Sequence, residues 1–160
     1  MLDTRRIELS KKRLEKAHRE YDGAILNKNS NYYEIANTRA YYAAFHAIRA
    51  LLALDDVDFK KHGSVIGYFN KNYVNTGFVD HSFIETIKIA SKSRNSSDYE
   101  DYYEATLEEA ERNIDGAGKL LTAITQLIEV RLEAEPVQEA ITADDFDYNE
   151  DIEAEDGIEL

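Results

Sequence analysis

Apolar residues recur at intervals of three and four along most of the chain before residue 130, the spacing that places them on one face of an α-helix. The pattern predicts five helices, over about residues 3–26, 33–54, 59–73, 83–94 and 107–128. The second is apolar almost all round, so we expect it to be central and covered by neighbours on most sides. Thr106 and Glu109 have the spacing of a capping box at the start of the last helix. The alternation typical of strands is absent, and we therefore predict an all-α fold, an antiparallel helical bundle.

The composition limits the chemistry that the chain can perform. Its 160 residues include one proline and no cysteine, so disulfides, thiol catalysis and cysteine-ligated zinc are excluded. No apolar run approaches the roughly 18 residues that indicate a membrane span, and the start has no apolar stretch typical of a secretory signal. We therefore expect a cytoplasmic protein.

Charge divides the chain into two parts. The net charge is −13, but positions 133–160 hold 12 acidic residues and no lysine or arginine. Residues 1–132 carry 19 basic and 20 acidic side chains, a net charge of −1. A block of like charge with few apolar residues is typical of a disordered, solvated segment. We therefore predict a helical domain over residues 1–132 and a disordered acidic tail over residues 133–160.

Three ordered segments carry a resemblance to a known family. They read NTRAYYAAFHAIRALL at 37–52, KKHGSVIGYF at 60–69 and RNSSDY at 94–99, before the long last helix. Over about residues 5–130 the chain resembles the HEPN family, and more narrowly its small stand-alone prokaryotic members with an R-x-x-x-D-Y motif. The acidic tail lies outside this resemblance.

The resemblance implies a function as well as a fold. HEPN proteins are helical bundles that usually dimerise, and many are toxins of toxin–antitoxin pairs, often encoded beside a minimal nucleotidyltransferase. Their active members are metal-independent ribonucleases, in which an arginine and a histidine separated by four to six residues line a cleft between two protomers. The imidazole helps the RNA 2′-hydroxyl attack the adjacent phosphate, and the arginine stabilises charge on the phosphate oxygens. We expect no cofactor and no bound metal.

Arg94 matches the family's arginine, and the residues after it supply further candidates. Tyr99 stands where the motif would have histidine, and a phenol is a poor base at neutral pH. Asp98 is then the candidate base, Tyr99 or Tyr102 orients or donates to a phosphate, and Asn95 is a candidate RNA contact. Tyr99 and Tyr102 are also candidates for modification with AMP by a partner transferase, which would place negative charge where phosphate binds. The structural alternative for Arg94 is an arginine that complements the dipole in the last turn of its helix.

A second arginine and histidine lie on the central helix. Six residues separate Arg39 from His46, which places both near one face. Both are candidate RNA contacts, although a histidine in an apolar helix is more often a hydrogen-bonded structural residue. His62 is predicted to be a fold residue of the family pattern, with phosphate contact as the alternative.

The first helix and the acidic tail carry opposite charges. Lys12, Lys16 and Arg19 share a face of this helix, which is either an RNA-binding surface or a solvated face of mixed charge. A tethered anionic segment would compete with RNA at high effective concentration. We hypothesise that the tail is autoinhibitory, with a solubility tail or a segment that folds on a partner as the alternatives.

These features predict the toxin-type component of a prokaryotic toxin–antitoxin system that acts on RNA. The alternative is an inactive nucleotide- or RNA-binding adaptor, which the missing motif histidine favours, and a purely structural dimer is a third interpretation. The expected partners are a second copy of the chain, a nucleotidyltransferase-type antitoxin, and RNA or a nucleotide. The dimer is expected also because five helices alone are not expected to cover the apolar central helix.

Overall fold

The chain folds into helices, as its apolar pattern predicts. The computed structural model describes residues 1–134 and 137–138. Its elements in chain order are β1 (Leu2–Asp3), α1 (Thr4–Asn29), α2 (Tyr33–Leu54), α3 (His62–Phe69), a π-helical turn (Asn70–Val74), α4 (Ser82–Tyr99), α5 (Leu107–Ala134) and β2 (Val137–Gln138). The all-α prediction is confirmed, with one small departure: β1 and β2 form a two-residue parallel pair. No helix in the described part is both long and apolar enough to cross a membrane.

The second helix, α2, is central, as the sequence predicts. It packs against α1, α4 and α5, and 16 of its 22 residues are buried within the single chain. Alanines at seven of these buried positions allow neighbouring helices to approach closely. The expectation that a second copy is needed to cover this helix is therefore wrong, because one protomer covers it.

The fourth helix extends further than its apolar pattern predicts. It ends at Tyr99 rather than near Arg94, so Arg94 lies inside α4 and not in its last turn. The extra turn is held on α2 by two hydrogen bonds, from Asn37 Nδ2 to Ser97 Oγ at 3.4 Å and from Thr38 Oγ1 to Asp98 Oδ1 at 2.7 Å. Arg94 is therefore too far from the helix end to complement the helix dipole, and the structural interpretation does not apply.

The other helix boundaries differ by a few residues. The first helix runs to Asn29, three residues beyond the prediction, and α3 begins at His62 rather than at residue 59. Thr106 caps α5, because its Oγ1 accepts a hydrogen bond from the Glu109 amide at 3.2 Å. The Glu109 carboxylate instead accepts a hydrogen bond from Ser93 Oγ at 3.0 Å, so its contact is with α4.

An acidic residue joins the ends of several elements at one end of the bundle. Asp55, directly after α2, accepts hydrogen bonds from the Tyr73 hydroxyl at 2.5 Å and from Arg131 Nη1 at 2.7 Å. Tyr68 also donates to this carboxylate at 3.3 Å. The end of α2, the π-helical turn and the end of α5 are therefore fixed to one another.

The predicted acidic tail falls mainly on positions that the structure does not describe. The last helix reaches Ala134, which is six residues beyond its predicted end at 128 and two residues beyond the predicted domain boundary at 132. Residues 137–138 pair with β1, with Val137 opposite Leu2 and Gln138 opposite Asp3. The disordered tail was predicted over residues 133–160, of which positions 135–136 and 139–160 lie outside the described residues.

Candidate functional site

Arg94 is held by two aromatic rings and one carboxylate. Its guanidinium carbon lies 4.8 Å from the centre of the Tyr41 ring and 5.8 Å from that of Tyr42. Its Nη1 is 4.0 Å from Asp98 Oδ2, and its side chain is 14% exposed. The buried Nε has no hydrogen-bond partner among the described residues. We call Arg94, Tyr41, Tyr42 and Asp98 the Arg94 cluster; it presents a pre-oriented cation whose hydrogen bonding is incomplete.

Asp98 is already engaged by neighbouring side chains. One carboxylate oxygen accepts from Thr38, and the other faces Arg94. This geometry favours a positioning role over the general-base role proposed from the sequence. Beneath it, Asn113 Nδ2 donates to Asn37 Oδ1 at 3.0 Å, so buried amides from α5 and α2 support the same region.

His62 belongs to this site, although its sequence position predicted a fold residue. Its Nδ1 is hydrogen bonded to the Tyr41 hydroxyl at 2.9 Å, and its ring is stacked on Phe45 with centroids 4.1 Å apart. Burial lowers the pKa of His62 below its ordinary value, and the positive charges of Arg94 and Arg49 lower it further. The imidazole is therefore uncharged at neutral pH.

Tyr42 connects the two sets of candidates that the sequence keeps apart. Besides Arg94, its ring lies 5.7 Å from the Arg39 guanidinium carbon and is stacked on His46 with centroids 5.8 Å apart. Arg39 is also paired with Glu20, with Nη1 2.9 Å from Oε2. Arg39, Tyr42, His46 and Arg49 recur at steps of three, four and three residues, and we call this row the α2 face.

His46 is a buried and uncharged member of the α2 face. Burial lowers its pKa to about 4, with further contributions from the positive charges of Lys16, Arg49 and Arg13 and from His62. Its Nδ1 is buried without a hydrogen-bond partner among the described residues. The expectation of a hydrogen-bonded structural histidine is therefore not met at this atom.

The residues after Arg94 lie mainly in solvent. Tyr99 is 75% exposed, Tyr102 is fully exposed and Asn95 is exposed. The Tyr103 hydroxyl, by contrast, donates a hydrogen bond to the Glu109 carboxylate of α5. The rings against Arg94 are thus those of Tyr41 and Tyr42 from α2, not those of the motif itself, although Tyr99 and Tyr102 are accessible to a modifying enzyme.

Two grooves adjoin the α2 face. The first, which we call the basic groove, has a volume of about 520 Å³ and is lined by Lys12, Glu15, Lys16, Arg19, Glu20 and Arg39. The second, of about 390 Å³, is lined by Phe45, Arg49, Asp58, Phe59, Lys60 and His62. Basic side chains at both ends of this face could contact successive phosphates of one nucleic-acid strand. Within the described residues, no group of three or more His, Asp and Glu side chains could hold a metal ion.

The fold and the arginine–aromatic cluster define a small helical domain with a cationic site, and comparison with known proteins identifies the family. The model of the HEPN domain matches residues 10–128. The chain belongs to the HEPN domain family.

Individual proteins agree with this assignment. The chain is similar to two proteins of Methanocaldococcus jannaschii, "Putative toxin MJ0142" (34% identical over 62% of this chain and 68% of that protein) and "Putative toxin MJ0605" (32% over 69% and 87%). The fold is similar to the crystal structure of ST0689, an archaeal HEPN homologue, with a TM-score of 0.60 and 21% identity over 74% of this chain and 97% of that one.

Proposed function

We propose that this HEPN protein is the toxin-type component of a toxin–antitoxin system, and that it binds RNA at the Arg94 cluster and cleaves it without a metal. One arrangement carries the proposal: Arg94 rests on Tyr41, whose hydroxyl is hydrogen bonded to the uncharged His62. A fixed cation and a neutral imidazole are the two groups that attack by a 2′-hydroxyl requires. Relatives named as toxins support the biological role.

In the proposed reaction, His62 has the part that the resemblance gives to the motif histidine. With Nδ1 protonated and donating to the Tyr41 oxygen, Nε2 is free to accept the proton of the 2′-hydroxyl. The O2′–P bond forms, the P–O5′ bond breaks, and the leaving oxygen takes up a proton. Arg94 stabilises the charge that develops on the phosphate oxygens, and Arg39 contacts a neighbouring phosphate. The buried His46 supports the Tyr42 ring on which it is stacked.

Cleavage of RNA by the purified protein in the presence of a chelator tests this proposal. Arg94→Ala and His62→Gln should each reduce cleavage by at least about 100-fold, because each removes a group that acts in the transition state. Arg112→Ala, which removes an exposed arginine of α5, is the matched control and should keep full activity. Loss of the Arg94 cation–π contacts should cost about 2 kcal/mol of unfolding free energy, because this side chain is largely desolvated. Undiminished cleavage by both variants would exclude this site.

Binding without cleavage is the second candidate function. It is favoured by the stacking of His62 on Phe45 and its bond to Tyr41, which occupy one face and one nitrogen of the ring. An adaptor should bind RNA in an Arg94-dependent manner while leaving the RNA intact. The same variants therefore separate the two functions when binding and cleavage are measured side by side.

The proposed antitoxin is a nucleotidyltransferase that attaches AMP to Tyr99 or Tyr102. Both rings are exposed and follow Arg94 closely in sequence, so a nucleotide phosphate there would repel RNA near the cluster. Intact-mass measurement after incubation with the transferase and ATP should show one added AMP, lost in the Tyr99→Phe/Tyr102→Phe variant. Modification that persists in this double variant would place the acceptor elsewhere.

A further inference from the structure

The basic groove contains three basic side chains of α1 that have no ion-pair partner among the described residues. Lys12, Lys16 and Arg19 are exposed and recur at steps of four and three residues, so they form one stripe. Among the described residues, none of the three has an acidic partner within 4.0 Å. By contrast, Arg13 is paired with Asp58 at 3.1 Å. The stripe is therefore available to an anionic partner.

The distribution of charge makes α1 the most positive of the described helices. It holds eight of the 19 lysines and arginines against four acidic residues, a net charge of +4. The last helix holds three basic and six acidic residues, a net charge of −3. Positions 139–160, which we call the acidic tail segment, hold ten acidic residues and no basic one. The largest positive and negative charges of the chain thus belong to α1 and to this segment.

The pairing of β1 with β2 places Gln138, the last described residue before the acidic tail segment, beside the start of α1. Gln138 lies opposite Asp3, the N-cap residue of α1, and the two strands are parallel. The chain therefore leaves Gln138 beside the helix start, in the direction in which β1 enters α1. Lys16 is roughly 20 Å further along the helix, and 22 extended residues span up to about 70 Å. The segment is long enough to cover the whole stripe.

We propose that the acidic tail segment docks on the basic groove through Lys12, Lys16 and Arg19, and so excludes RNA phosphate from that end of the α2 face. The contact is electrostatic and intramolecular, so a weak interaction is populated because attachment supplies about millimolar effective concentration. Arg39 belongs both to this groove and to the α2 face, which makes the docked segment a direct competitor for nucleic acid. Docking does not depend on the proposed ribonuclease chemistry.

A spin label on the full-length protein tests the docking itself. The chain has no cysteine, so Glu155→Cys provides one site for labelling. At low salt, the label should broaden amide NMR signals of residues 12–19, and broadening should vanish at high salt. The Lys12→Gln/Lys16→Gln/Arg19→Gln variant should lose this broadening, because it removes the three positive charges that hold the segment. Equal broadening in this triple variant, or none in the parent, would overturn the proposal.

RNA binding tests the competition. A full-length variant with the ten acidic residues of 139–160 changed to Asn or Gln should bind a labelled single-stranded RNA oligonucleotide about three- to tenfold more tightly at low salt. The two affinities should converge as salt rises. If neither protein binds RNA, the proposed function fails while docking is still decided by the label. If both bind equally at low salt, competition by the tail segment is refuted and the proposed function stands.

Discussion

At the scale of single residues, the site combines charged arginines with uncharged histidines. Arg94 and Arg49 both help to keep His62 neutral, and Arg49 does the same for His46. A neutral imidazole accepts a proton or a hydrogen bond, whereas a second cation would only add repulsion. The arginines near the proposed phosphate site thus also keep the two histidines uncharged.

His46 makes stability depend on pH in a defined direction. The unfolded chain protonates this ring near pH 6.5, whereas the folded chain resists protonation until about pH 4. Protonation therefore favours unfolding, and stability falls as pH decreases through this window. Between pH 7.5 and 5.0 we expect the ring to remove about 2 kcal/mol of unfolding free energy.

Urea denaturation at both pH values measures this effect. His46→Gln should make the stability less dependent on pH, because the ring that titrates differently in the two states is gone. Thr122→Gln, on the exposed surface of α5, is the control and should keep the slope of the parent protein, because it neither adds nor removes a titratable group. An unchanged slope in His46→Gln would show that this ring is not the titrating group.

At the scale of elements, the last turn of α4 depends on α2. Thr38→Val removes the hydroxyl that bonds Asp98 while keeping the side-chain volume. We expect amides 97–99 to exchange hydrogen faster, because the turn then frays with less opposition. The matched control is Thr125→Val, whose hydroxyl bonds only Leu121 of its own helix, at 2.7 Å. Equal exchange in both variants would show that the cross-helix bond does not hold the turn.

This dependence explains what the sequence could and could not predict. The bounds of α2 follow from its pattern, because its apolar residues continue from Tyr33 to Leu54. The end of α4 cannot be predicted from its own pattern, because it depends on a hydrogen bond between Asn37 and Ser97, which are 60 residues apart in the sequence. Arg94 was found through a contiguous motif. The position of His62 near Arg94 depends on how α3 packs on α2. This packing cannot be predicted from the spacing of residues within one helix.

At the scale of the whole molecule, exposed apolar side chains gather at the end of the bundle where α2 begins. The 100–106 connector is joined to this end, because the Ala105 amide donates to Glu34 Oε1 at 3.3 Å. Five large side chains near it are exposed: Tyr32, Ile35, Tyr99, Tyr102 and Leu107. Concentrations of exposed apolar surface mark protein interfaces. The motif after Arg94 therefore lies at the best candidate surface for the predicted homodimer.

The exposed side chains at this end support the dimer prediction, whereas the coverage of α2 does not. Ile35 and Tyr102 are 47% and 100% exposed, and a second copy would cover them while bringing two Arg94 clusters to one interface. We expect the parent protein to be dimeric at micromolar concentration and Ile35→Ser/Tyr102→Ser to shift it towards monomer. Burying two such side chains contributes about 1.5–3 kcal/mol each, enough to weaken dimerisation at least tenfold.

Sedimentation equilibrium over a range of concentrations measures this shift. The control is Phe78→Ser, which removes a side chain that is 68% exposed in the connector before α4 and should leave the dimer intact. A monomeric parent protein at every concentration would reject the dimer. A dimer weakened equally by Phe78→Ser would place its interface elsewhere. A dimer formed through this end would also complete the cleft around the two Arg94 clusters. RNA cleavage by Ile35→Ser/Tyr102→Ser should therefore decline together with dimerisation. Cleavage should recover at high protein concentration, where the dimer forms again.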